Sequence, residues 1–359
     1  MVCCFLPITL TIICICVYYI LRFLYELPTI DGLSARAVFI TGCDSGFGRM
    51  LAVKCVVHRM HVFAGCLTEK VFYVTSEKDS TNPYAESKDV KGMKLVEAEG
   101  SMVKGGSLCA VLIDITKDDS VKQAAEFVKQ QMKPGIKLWA IVNNAGVFTT
   151  YGPDDWCCVQ DYKFSFDVNT LGHIRVSQAF KPLLKQSKGR IVTVTSIAGR
   201  VAIPYAGPYS AAKFATEAYM DCIRQELKPF GVTCCIVEPG VFKTTIVDRM
   251  VMKQRIEGLW EKLTDEQKNE YGEDFKNFFA VHWSETFNNL ASTRTSCVVD
   301  SYYHALTARF PRYRYRCGWD AILLYIPITY LSTAAVDFIL RFLLGPKVRP
   351  AATEKAKSE

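Results

Sequence analysis

The chain has 359 residues, of which 50% are hydrophobic, and a formal net charge of +7 at pH 7. This length allows one large domain with a buried core. The basic residues are scattered and form no basic helix, which argues against nucleic-acid binding. The 15 cysteines occur singly or in adjacent pairs, without paired CxxC spacing, so they indicate neither a zinc site nor a disulfide framework.

The chain begins with an apolar run. Residues 2–21 contain no charged side chain, and about twenty apolar residues in a helix match the hydrocarbon thickness of a bilayer. The run is too long for a cleaved signal peptide, and no basic residue precedes it. We therefore predict a transmembrane signal anchor over residues 1–24. Arg22, just after the run, favours a main domain on the cytosolic side.

Between about residues 34 and 246, short apolar runs alternate with helical segments. This pattern is typical of a parallel sheet covered by helices on both faces. Right-handed crossovers then give an α/β fold with a single Rossmann-type, doubly wound sheet, whose ligand lies at the carboxyl ends of the strands. The predicted strands cover residues 37–41, 61–65, 109–113, 138–142, 190–195 and 232–238. The polar stretch 69–107 is predicted to be a helix interrupted by a long surface loop.

A glycine-rich turn follows the first predicted strand. Glycines at this spacing let the backbone turn tightly and let a pyrophosphate approach amide groups at a helix N-terminus. Such a triplet also occurs as a purely structural turn, and its position between a strand and a helix favours the binding interpretation. The candidate cofactor-binding residues in this turn are Thr41, Gly42, Asp44, Ser45, Gly46, Phe47 and Gly48.

Two further polar positions follow predicted strands. Asp114 closes the third strand, where its carboxylate could accept a hydrogen bond from an adenine amino group. It could instead cap the helix that begins with Asp118 and Asp119. Asn143 opens the segment Asn-Asn-Ala-Gly after the fourth strand. These small and amide residues could lie against an adenine ribose or form a simple turn.

Tyr209 and Lys213 lie four residues apart in the segment 207–227, which has helical periodicity, so their side chains share one face. A phenol with a pKa of about 10 is a poor base at neutral pH. A nearby ammonium and a positive nicotinamide ring would lower that pKa. Ser196, at the end of the fifth strand, would hold a substrate oxygen, and Asn169 could retain a water for a proton relay.

The order of these motifs carries more weight than any one of them. Tyr-x-x-x-Lys occurs by chance in many helices, so the pair alone indicates little. Here it follows a glycine turn after strand one, Asn-Asn-Ala-Gly after strand four and Ser196 after strand five. It also precedes Pro239-Gly240 after strand six. This combination favours one catalytic mechanism.

With these motifs, the sequence resembles the short-chain dehydrogenase/reductase superfamily over about residues 35–246. The segments 41–48, 138–146, 167–172, 225–232 and 260–273 more narrowly resemble the retinol and hydroxysteroid dehydrogenase branch. The stretch 69–107 is longer than is usual in that branch.

The resemblance implies a role for each matching residue. It makes Tyr209 the proton acceptor in alcohol oxidation, Ser196 the ligand of the substrate oxygen, and Lys213 the ribose ligand that modifies the phenol pKa. Asn169 becomes the relay residue. For the cofactor, the implied contacts are Asn143 and Asp114 on the adenosine half, and Gly240, Val241 and Thr244 on the nicotinamide side.

The implied cofactor is NAD, with NADP left open. No acidic residue ends the second strand at residues 65–67 to mark an NAD enzyme. No lysine or arginine occupies residues 43–47 or 64–68 to meet a 2′-phosphate, although Arg49 is nearby. Asp44 would disfavour such a phosphate. We therefore expect NAD.

A second apolar stretch covers residues 321–344. Pro327, Asp337 and Arg341 interrupt it, so it is a poorer membrane span than the first. It could lie in the membrane interface or pack on the protein's own substrate pocket. Arginines alternate with aromatic residues over 309–316, a mixture suited to head-group depth. We predict a dehydrogenase domain over 34–318 with substrate-side helices over about 245–318, a membrane-associated segment over 319–346 and a disordered tail over 347–359.

We expect a membrane-bound oxidoreductase of the endoplasmic reticulum that oxidises a hydrophobic alcohol, a steroid or retinoid, to its carbonyl. The expected partners are this alcohol or ketone and membrane lipid, without nucleic acid or metal, and a homodimer is left open. One alternative is a mitochondrial dehydrogenase of the 3-hydroxybutyrate type, against which the uninterrupted apolar start weighs. The other is a catalytically silent membrane scaffold, against which the intact catalytic set argues.

Overall fold

Seven parallel strands build one sheet: β1 (Arg36–Thr41), β2 (His61–Cys66), β3 (Ser107–Leu112), β4 (Lys137–Asn143), β5 (Arg190–Val194), β6 (Thr233–Pro239) and β7 (Arg314–Cys317). Their order is β3-β2-β1-β4-β5-β6-β7. The order reverses between β1 and β4, and ligands of open α/β sheets bind at such a switch point. The computed structural model describes residues 2–68, 106–148, 150–244, 247–345 and 348–355. The interrupted helix predicted over 69–107 lies almost entirely outside these described residues.

The six predicted strands all occur, with ends that differ by up to two residues. Strand β5 is buried at every position, as expected for a strand covered on both faces. The single Rossmann-type parallel sheet predicted from the sequence is therefore confirmed.

Helices cover both faces of the sheet. The described helices are α1 (Val2–Glu26), α2 (Gly46–Val57), α3 (Asp118–Gln131), α4 (Val159–Phe166), α5 (His173–Ser187), α6 (Gly207–Leu227), α7 (Arg249–Glu261), α8 (Asp265–Tyr271), α9 (Glu273–Leu290), α10 (Ser296–Thr307), α11 (Ile326–Ile328), α12 (Thr333–Leu344) and α13 (Ala351–Lys355). Two π-helical segments cover Asp167–Gly172 and Ala321–Tyr325. The predicted disordered tail thus contains α13.

Alternation along β1 divides the core into two layers. Val38 and Ile40 pack with α2 and α10, whereas Phe39 points to the other face, because successive side chains of a strand alternate. On that face the Phe39 ring stacks on Phe180 of α5, with ring centroids 4.5 Å apart. Burial of both layers fixes the sheet between helices and leaves its carboxyl edge for the site.

A third cluster of buried residues lies outside the sheet and is rich in aromatic side chains. Trp156 packs edge-to-face on Trp260 of α7 and on Phe279 of α9. Leu340 and Leu344 of α12 belong to the same cluster. The substrate-side helices and the C-terminal segment therefore share one core.

Strand β7 corrects one sequence interpretation. The alternation of arginines and aromatic residues over 309–316 favours head-group depth, but part of this run pairs in parallel with β6, with Val237 opposite Tyr315. Tyr315 and Cys317 are buried, whereas Arg314 and Arg316, which alternate with them, are not. Alternation with period two is the pattern of a half-buried strand. The strand is hard to predict from the sequence because two of its four residues are arginines.

The second apolar stretch packs partly on the protein itself. Tyr325 and Leu340 are buried in the aromatic cluster, whereas Leu323, Phe338 and Phe342 are exposed at 68%, 73% and 81%. One face of this segment therefore covers the substrate-side core, as one of the two sequence alternatives predicts.

Helix α1 ends against the sheet domain. The Tyr25 ring stacks on Phe310 at 4.2 Å, and the Glu26 carboxylate accepts hydrogen bonds from Arg22 at 2.9 Å and from Arg312 at 2.8 Å. Over the residues that the structure describes, no helix is both long and apolar enough to span a bilayer. The membrane anchor over residues 1–24 stays a prediction.

Candidate active site

Hydrogen bonds join the ends of β1 and β4 at the switch point. Thr41 Oγ1 accepts the backbone N–H groups of Asn144 at 3.0 Å and of Ala145 at 3.1 Å. The Asn144 amide in turn donates to the carbonyls of Thr41 at 3.0 Å and of Gly42 at 3.2 Å. Thr41 and Asn144 therefore hold the glycine turn in a fixed position beside the segment that follows β4.

Two glycines of the turn have no room for a side chain. Gly42 adopts a positive φ of 70°, and a Cβ there would lie 2.7 Å from the Cα of Ala145. A Cβ on Gly48 would lie 2.4 Å from Asn144 Nδ2 and 2.5 Å from the Gly42 carbonyl oxygen. The turn therefore needs glycine at both positions, because most of these neighbouring atoms belong to the backbone.

A cavity of about 390 Å³ lies along this turn. Seven of the predicted cofactor residues line it: Gly42, Asp44, Ser45, Gly46, Phe47, Asp114 and Thr244. Asp44 accepts backbone N–H groups of Leu67 at 2.9 Å and Thr68 at 3.2 Å, so it ties the turn to the end of β2. Asp114 also accepts the N–H of Thr116 at 2.9 Å, a local turn contact that leaves it on the cavity wall.

Asn143 and its neighbour occupy different places. The Asn143 side chain is fully buried and donates to the hydroxyls of Ser177 at 2.9 Å and Thr193 at 3.1 Å. Asn144, the second amide of the Asn-Asn-Ala-Gly segment, lines the cavity along the glycine turn. The amide predicted for the adenosine half thus lies inside the sheet, and the next residue faces the cavity.

A second cavity, of about 130 Å³, adjoins the first and has a mainly apolar wall. The two cavities share Phe47, Asn144, Gly146, Val147 and Thr244. The second cavity collects all four predicted catalytic residues: Asn169, Ser196, Tyr209 and Lys213. Gly240 and Val241 also line it. Residues from Phe47 in the glycine turn to Thr244 after β6 therefore line one cavity, although they lie far apart in the chain.

Tyr209 is buried beside Ser196 in this second cavity. Burial raises the pKa of Tyr209 to about 12, and a hydrogen bond with the Ser196 hydroxyl opposes this shift. Ser196 Oγ also accepts the Ala198 N–H at 3.1 Å. The lowering of this pKa that the sequence analysis expects from the Lys213 ammonium and a positive nicotinamide ring stays a prediction.

Lys213 lies about one helical turn after Tyr209 on α6. It is buried, its ammonium donates to the Val194 carbonyl at 3.3 Å, and Nζ is 5.6 Å from the centre of the Tyr209 ring. Burial lowers the pKa of Lys213 to about 8, while the carboxylate of Glu217 opposes this change. With this pKa, the side chain is mostly an ammonium at pH 7 and loses its proton at slightly higher pH.

Asn169 belongs to the π-helical segment between α4 and α5. Its Oδ1 accepts the Val147 N–H at 3.0 Å, and its Nδ2 donates to the Val147 carbonyl at 2.9 Å. Thr216 of α6 donates to the Asn169 carbonyl at 2.8 Å. Such π bulges are frequent at functional sites. Here the bulge places the Asn169 amide where it fixes the chain after β4.

Phe148 connects Tyr209 to the substrate-side helices, a link that the sequence analysis missed. The Phe148 ring stacks on the Tyr209 ring, with centroids 4.4 Å apart. The Phe148 carbonyl accepts the Tyr151 hydroxyl at 2.6 Å and Arg255 Nη1 at 2.5 Å. Arg255 lies on α7, and no spacing in the sequence relates it to Phe148.

Asp320, also missed, holds the end of β6. Its carboxylate accepts the Val241 N–H at 2.7 Å, while the Gly240 N–H donates to the Cys317 carbonyl at 2.8 Å. A Cβ on Gly240 would lie 2.1 Å from Asp320 Oδ1. The glycine therefore lets a carboxylate from the C-terminal region position the loop that carries Thr244.

Comparison with known proteins agrees with this geometry. The family model for short chain dehydrogenase matches residues 78–255. The 3beta-hydroxysteroid dehydrogenase dhs-16 of Caenorhabditis elegans is 42% identical over 355 residues, which cover 97% of this chain and 86% of that protein. The chain belongs to the short-chain dehydrogenase/reductase family.

Other relatives of this family member agree with the predicted branch. The 17-beta-hydroxysteroid dehydrogenase type 6 of Rattus norvegicus is 37% identical, and the match covers 90% of this chain and 93% of that protein. Retinol dehydrogenase 7 of Rattus norvegicus is 36% identical, with 89% and 92% covered. The resemblance to the retinol and hydroxysteroid dehydrogenase branch is confirmed.

A solved structure shows the same fold. A short-chain dehydrogenase/reductase from Burkholderia phymatum, in complex with NAD, has a TM-score of 0.62 at 19% identity. The match covers 86% of this chain and 97% of that chain.

The residues of this short-chain dehydrogenase/reductase fit a nicotinamide dinucleotide. Gly42, Ser45 and Gly46 of the glycine turn line the first cavity, so a phosphate there could approach the turn that precedes α2. The cavity along the turn runs from Asp114 to Thr244 and continues into the cavity of Tyr209 and Lys213. Together with family membership, this fit confirms the predicted alcohol dehydrogenase/reductase activity and its nicotinamide cofactor.

Proposed function

We propose that this enzyme transfers a hydride between NAD and a hydrophobic secondary or allylic alcohol of the steroid or retinoid class. The observation that carries the proposal is the apolar cavity in which the hydroxyls of Ser196 and Tyr209 meet. Phe148, Phe287 and Tyr325 contribute aromatic walls to it. Such walls suit an apolar substrate, and the few polar groups orient its oxygen.

In the oxidative direction, the Tyr209 phenolate accepts the proton of the substrate hydroxyl while Ser196 holds the same oxygen by a hydrogen bond. Bound NAD supplies the acceptor for the hydride that leaves the carbinol carbon. Lys213 would hold the ribose hydroxyls of bound NAD, and its ammonium would stabilise the phenolate. In the reductive direction, Tyr209 returns the proton to the carbonyl oxygen. Asn169 fixes Val147 and so supports the same wall of the cavity.

The names of the relatives support the substrate class. They include a 3beta-hydroxysteroid dehydrogenase, a 17-beta-hydroxysteroid dehydrogenase and a retinol dehydrogenase. All three act on an alcohol carried by a large apolar skeleton. A cavity with aromatic walls and two hydroxyls suits such an alcohol better than a small hydroxy acid, which needs a cation for its carboxylate.

NAD is the proposed cofactor, with NADP the alternative. The Asp44 carboxylate lines the cavity where the glycine turn meets Leu67 and Thr68 at the end of β2. A 2′-phosphate placed there would face this negative charge. The neutral 2′-hydroxyl of NAD would not be repelled by the Asp44 carboxylate.

The proposal includes a membrane of the endoplasmic reticulum as the site of action. The uncharged residues 2–21 support it. The exposed aromatic and aliphatic side chains of the C-terminal segment, Leu323, Phe338 and Phe342, are also suited to an apolar interface. Steroids and retinoids dissolve in the same membranes.

The test uses the full-length protein in membranes with a panel of hydroxysteroids and retinols, each offered NAD and NADP separately. We expect one substrate class and NAD to dominate the rates. Tyr209→Phe should lower turnover by about 100- to 10,000-fold with cofactor binding nearly unchanged. The matched control is Tyr219→Phe, on the same helix but packed against the core on the other side. Full activity of Tyr209→Phe would refute the proposal.

A further inference from the structure

A groove separates the end of α1 from β7 and the residues before it. Its volume is about 750 Å³, and it is distinct from the two cavities of the active site. We call it the α1–β7 groove and define it by Arg22, Glu26, Arg312, Arg314 and Arg316. Four arginines and one glutamate line this space.

Three of these arginines keep a large part of their side chain exposed. The exposed fraction is 37% for Arg22, 41% for Arg312 and 40% for Arg316. Each guanidinium has five N–H donors, and the ion pairs with Glu26 use only some of those on Arg22 and Arg312. Some N–H donors of both guanidinium groups are therefore not used by Glu26.

The carboxylates at the groove do not balance the guanidinium groups. Arg22 and Arg312 share the single carboxylate of Glu26. At the other end, three carboxylates, those of Glu217, Asp221 and Glu238, pair with four guanidinium groups, those of Arg200, Arg224, Arg314 and Arg316. Each end thus has one more guanidinium group than it has carboxylates, which favours an anionic ligand.

The walls of the groove are apolar. Tyr19 and Phe23 on α1 are 60% and 62% exposed, and Tyr313 and Ile322 on the opposite side are 55% and 44% exposed. A small soluble anion would not need such walls. A molecule with an anionic head and an apolar tail would use both the guanidinium groups and the walls.

We propose that the α1–β7 groove binds an anionic phospholipid, with its phosphate at the arginines and its acyl chains along α1. Exposed apolar side chains, among them Leu10, Ile13 and Val17, precede the groove residues on α1, so the acyl chains would follow an apolar surface. This proposal rests on the membrane setting of the proposed function. It gives α1 a second role, because lipid bound there would bridge the helix and the edge strand of the sheet.

The test compares lipids on the detergent-solubilised full chain. Dioctanoyl phosphatidylserine, dioctanoyl phosphatidylcholine and inorganic phosphate are titrated separately, and bound ligand is counted by native mass spectrometry. The double variant Arg22→Gln/Arg316→Gln is compared with the control Arg294→Gln/Arg309→Gln, which removes two exposed arginines that do not line the groove. We expect the groove variant to bind phosphatidylserine about 10- to 30-fold more weakly, and the control to match wild type.

Three results would overturn the proposal: equal binding of phosphatidylcholine and phosphatidylserine, equal loss in both double variants, or binding of inorganic phosphate as tight as that of the lipid. Alcohol oxidation and sedimentation with membranes are measured on the same preparations. A failed lipid site leaves both unchanged, whereas failure of the proposed function removes turnover or sedimentation from the wild-type protein itself.

Discussion

The cofactor side and the substrate side of this enzyme are built from different kinds of contact. On the cofactor side, the glycine turn is positioned by backbone groups and short side chains, such as Thr41 with the amides that follow β4. On the substrate side, large rings such as Trp156 and Trp260 pack together. Backbone geometry tolerates almost no change, whereas packed rings can readjust. The cofactor side should therefore be similar among relatives, and the substrate side should set specificity.

Tyr209 lies where the two sides meet. Ser196 and Lys213 reach it from the sheet and from α6, whereas Phe148 stacks on its ring and is itself bonded to Arg255 of α7. The reactive phenol is thus oriented from both sides. Substitutions on the cofactor side and on the substrate side should therefore lower the rate of alcohol oxidation by different factors.

The largest effect is expected at this junction. Lys213→Met should lower alcohol oxidation by about 100- to 10,000-fold, because it removes the ammonium that stabilises the phenolate. It should also weaken NAD binding through the lost ribose contact. Steady-state kinetics and a cofactor titration measure both effects. Lys262→Met, at an exposed position after α7, is the control, and a similar loss there would remove the assignment.

Lys213→Met should also raise the free energy of unfolding, and the size of this gain should depend on pH. Burial lowers the pKa of Lys213 from 10.5 to about 8, so between pH 8 and 10.5 the unfolded chain binds more protons than the folded protein. The wild type is then destabilised as pH falls from 10.5 to 8, by on the order of 3 kcal/mol. Denaturant unfolding should show Lys213→Met more stable at pH 7, with a gap that closes between pH 8 and 10.5. A constant gap would contradict this.

A matched pair of glycine substitutions tests the comparison directly. Gly48→Ala on the cofactor side forces a methyl to within 2.4 Å of Asn144 Nδ2 and 2.5 Å of a backbone oxygen. It should cost about 1–3 kcal/mol of stability and weaken NAD binding. Gly258→Ala on α7 meets nothing within 4 Å and should stabilise its helix by up to about 1 kcal/mol. Thermal unfolding with and without NAD distinguishes them, and equal effects would break the comparison.

Local patterns in the sequence predict one part of the molecule, and contacts between distant residues determine the other. Six strands and helix α6 are readable because apolar runs and Tyr-x-x-x-Lys are local patterns. Strand β7 is hidden by its arginines, and the side of the strand that Asn143 faces depends on register. The bonds from Asp320 to Val241 and from Arg255 to Phe148 join residues 79 and 107 positions apart. No local pattern records such contacts, so only the folded chain reveals them.

The smallest expected effect concerns Arg255, which touches neither cofactor nor reacting atoms and acts as a positioning residue. Arg255→Met removes the donor to the Phe148 carbonyl and should let the Phe148 ring move on Tyr209. A misplaced catalytic group can cost up to about 100-fold, and we expect about 10-fold in kcat, because Tyr151 still holds the same carbonyl. Binding of NAD should not change.

A merely structural role for Arg255 would lower the amount of folded protein and leave kcat per active site intact. Active-site titration therefore accompanies the kinetics. Arg255→Lys should recover part of the loss, since an ammonium can still donate to the Phe148 carbonyl. The control Arg249→Met removes an exposed arginine of α7 that pairs with Glu285 at 2.8 Å, and such a surface pair contributes little. Equal kcat values in all three variants would show that the substrate side does not orient Tyr209 through this contact.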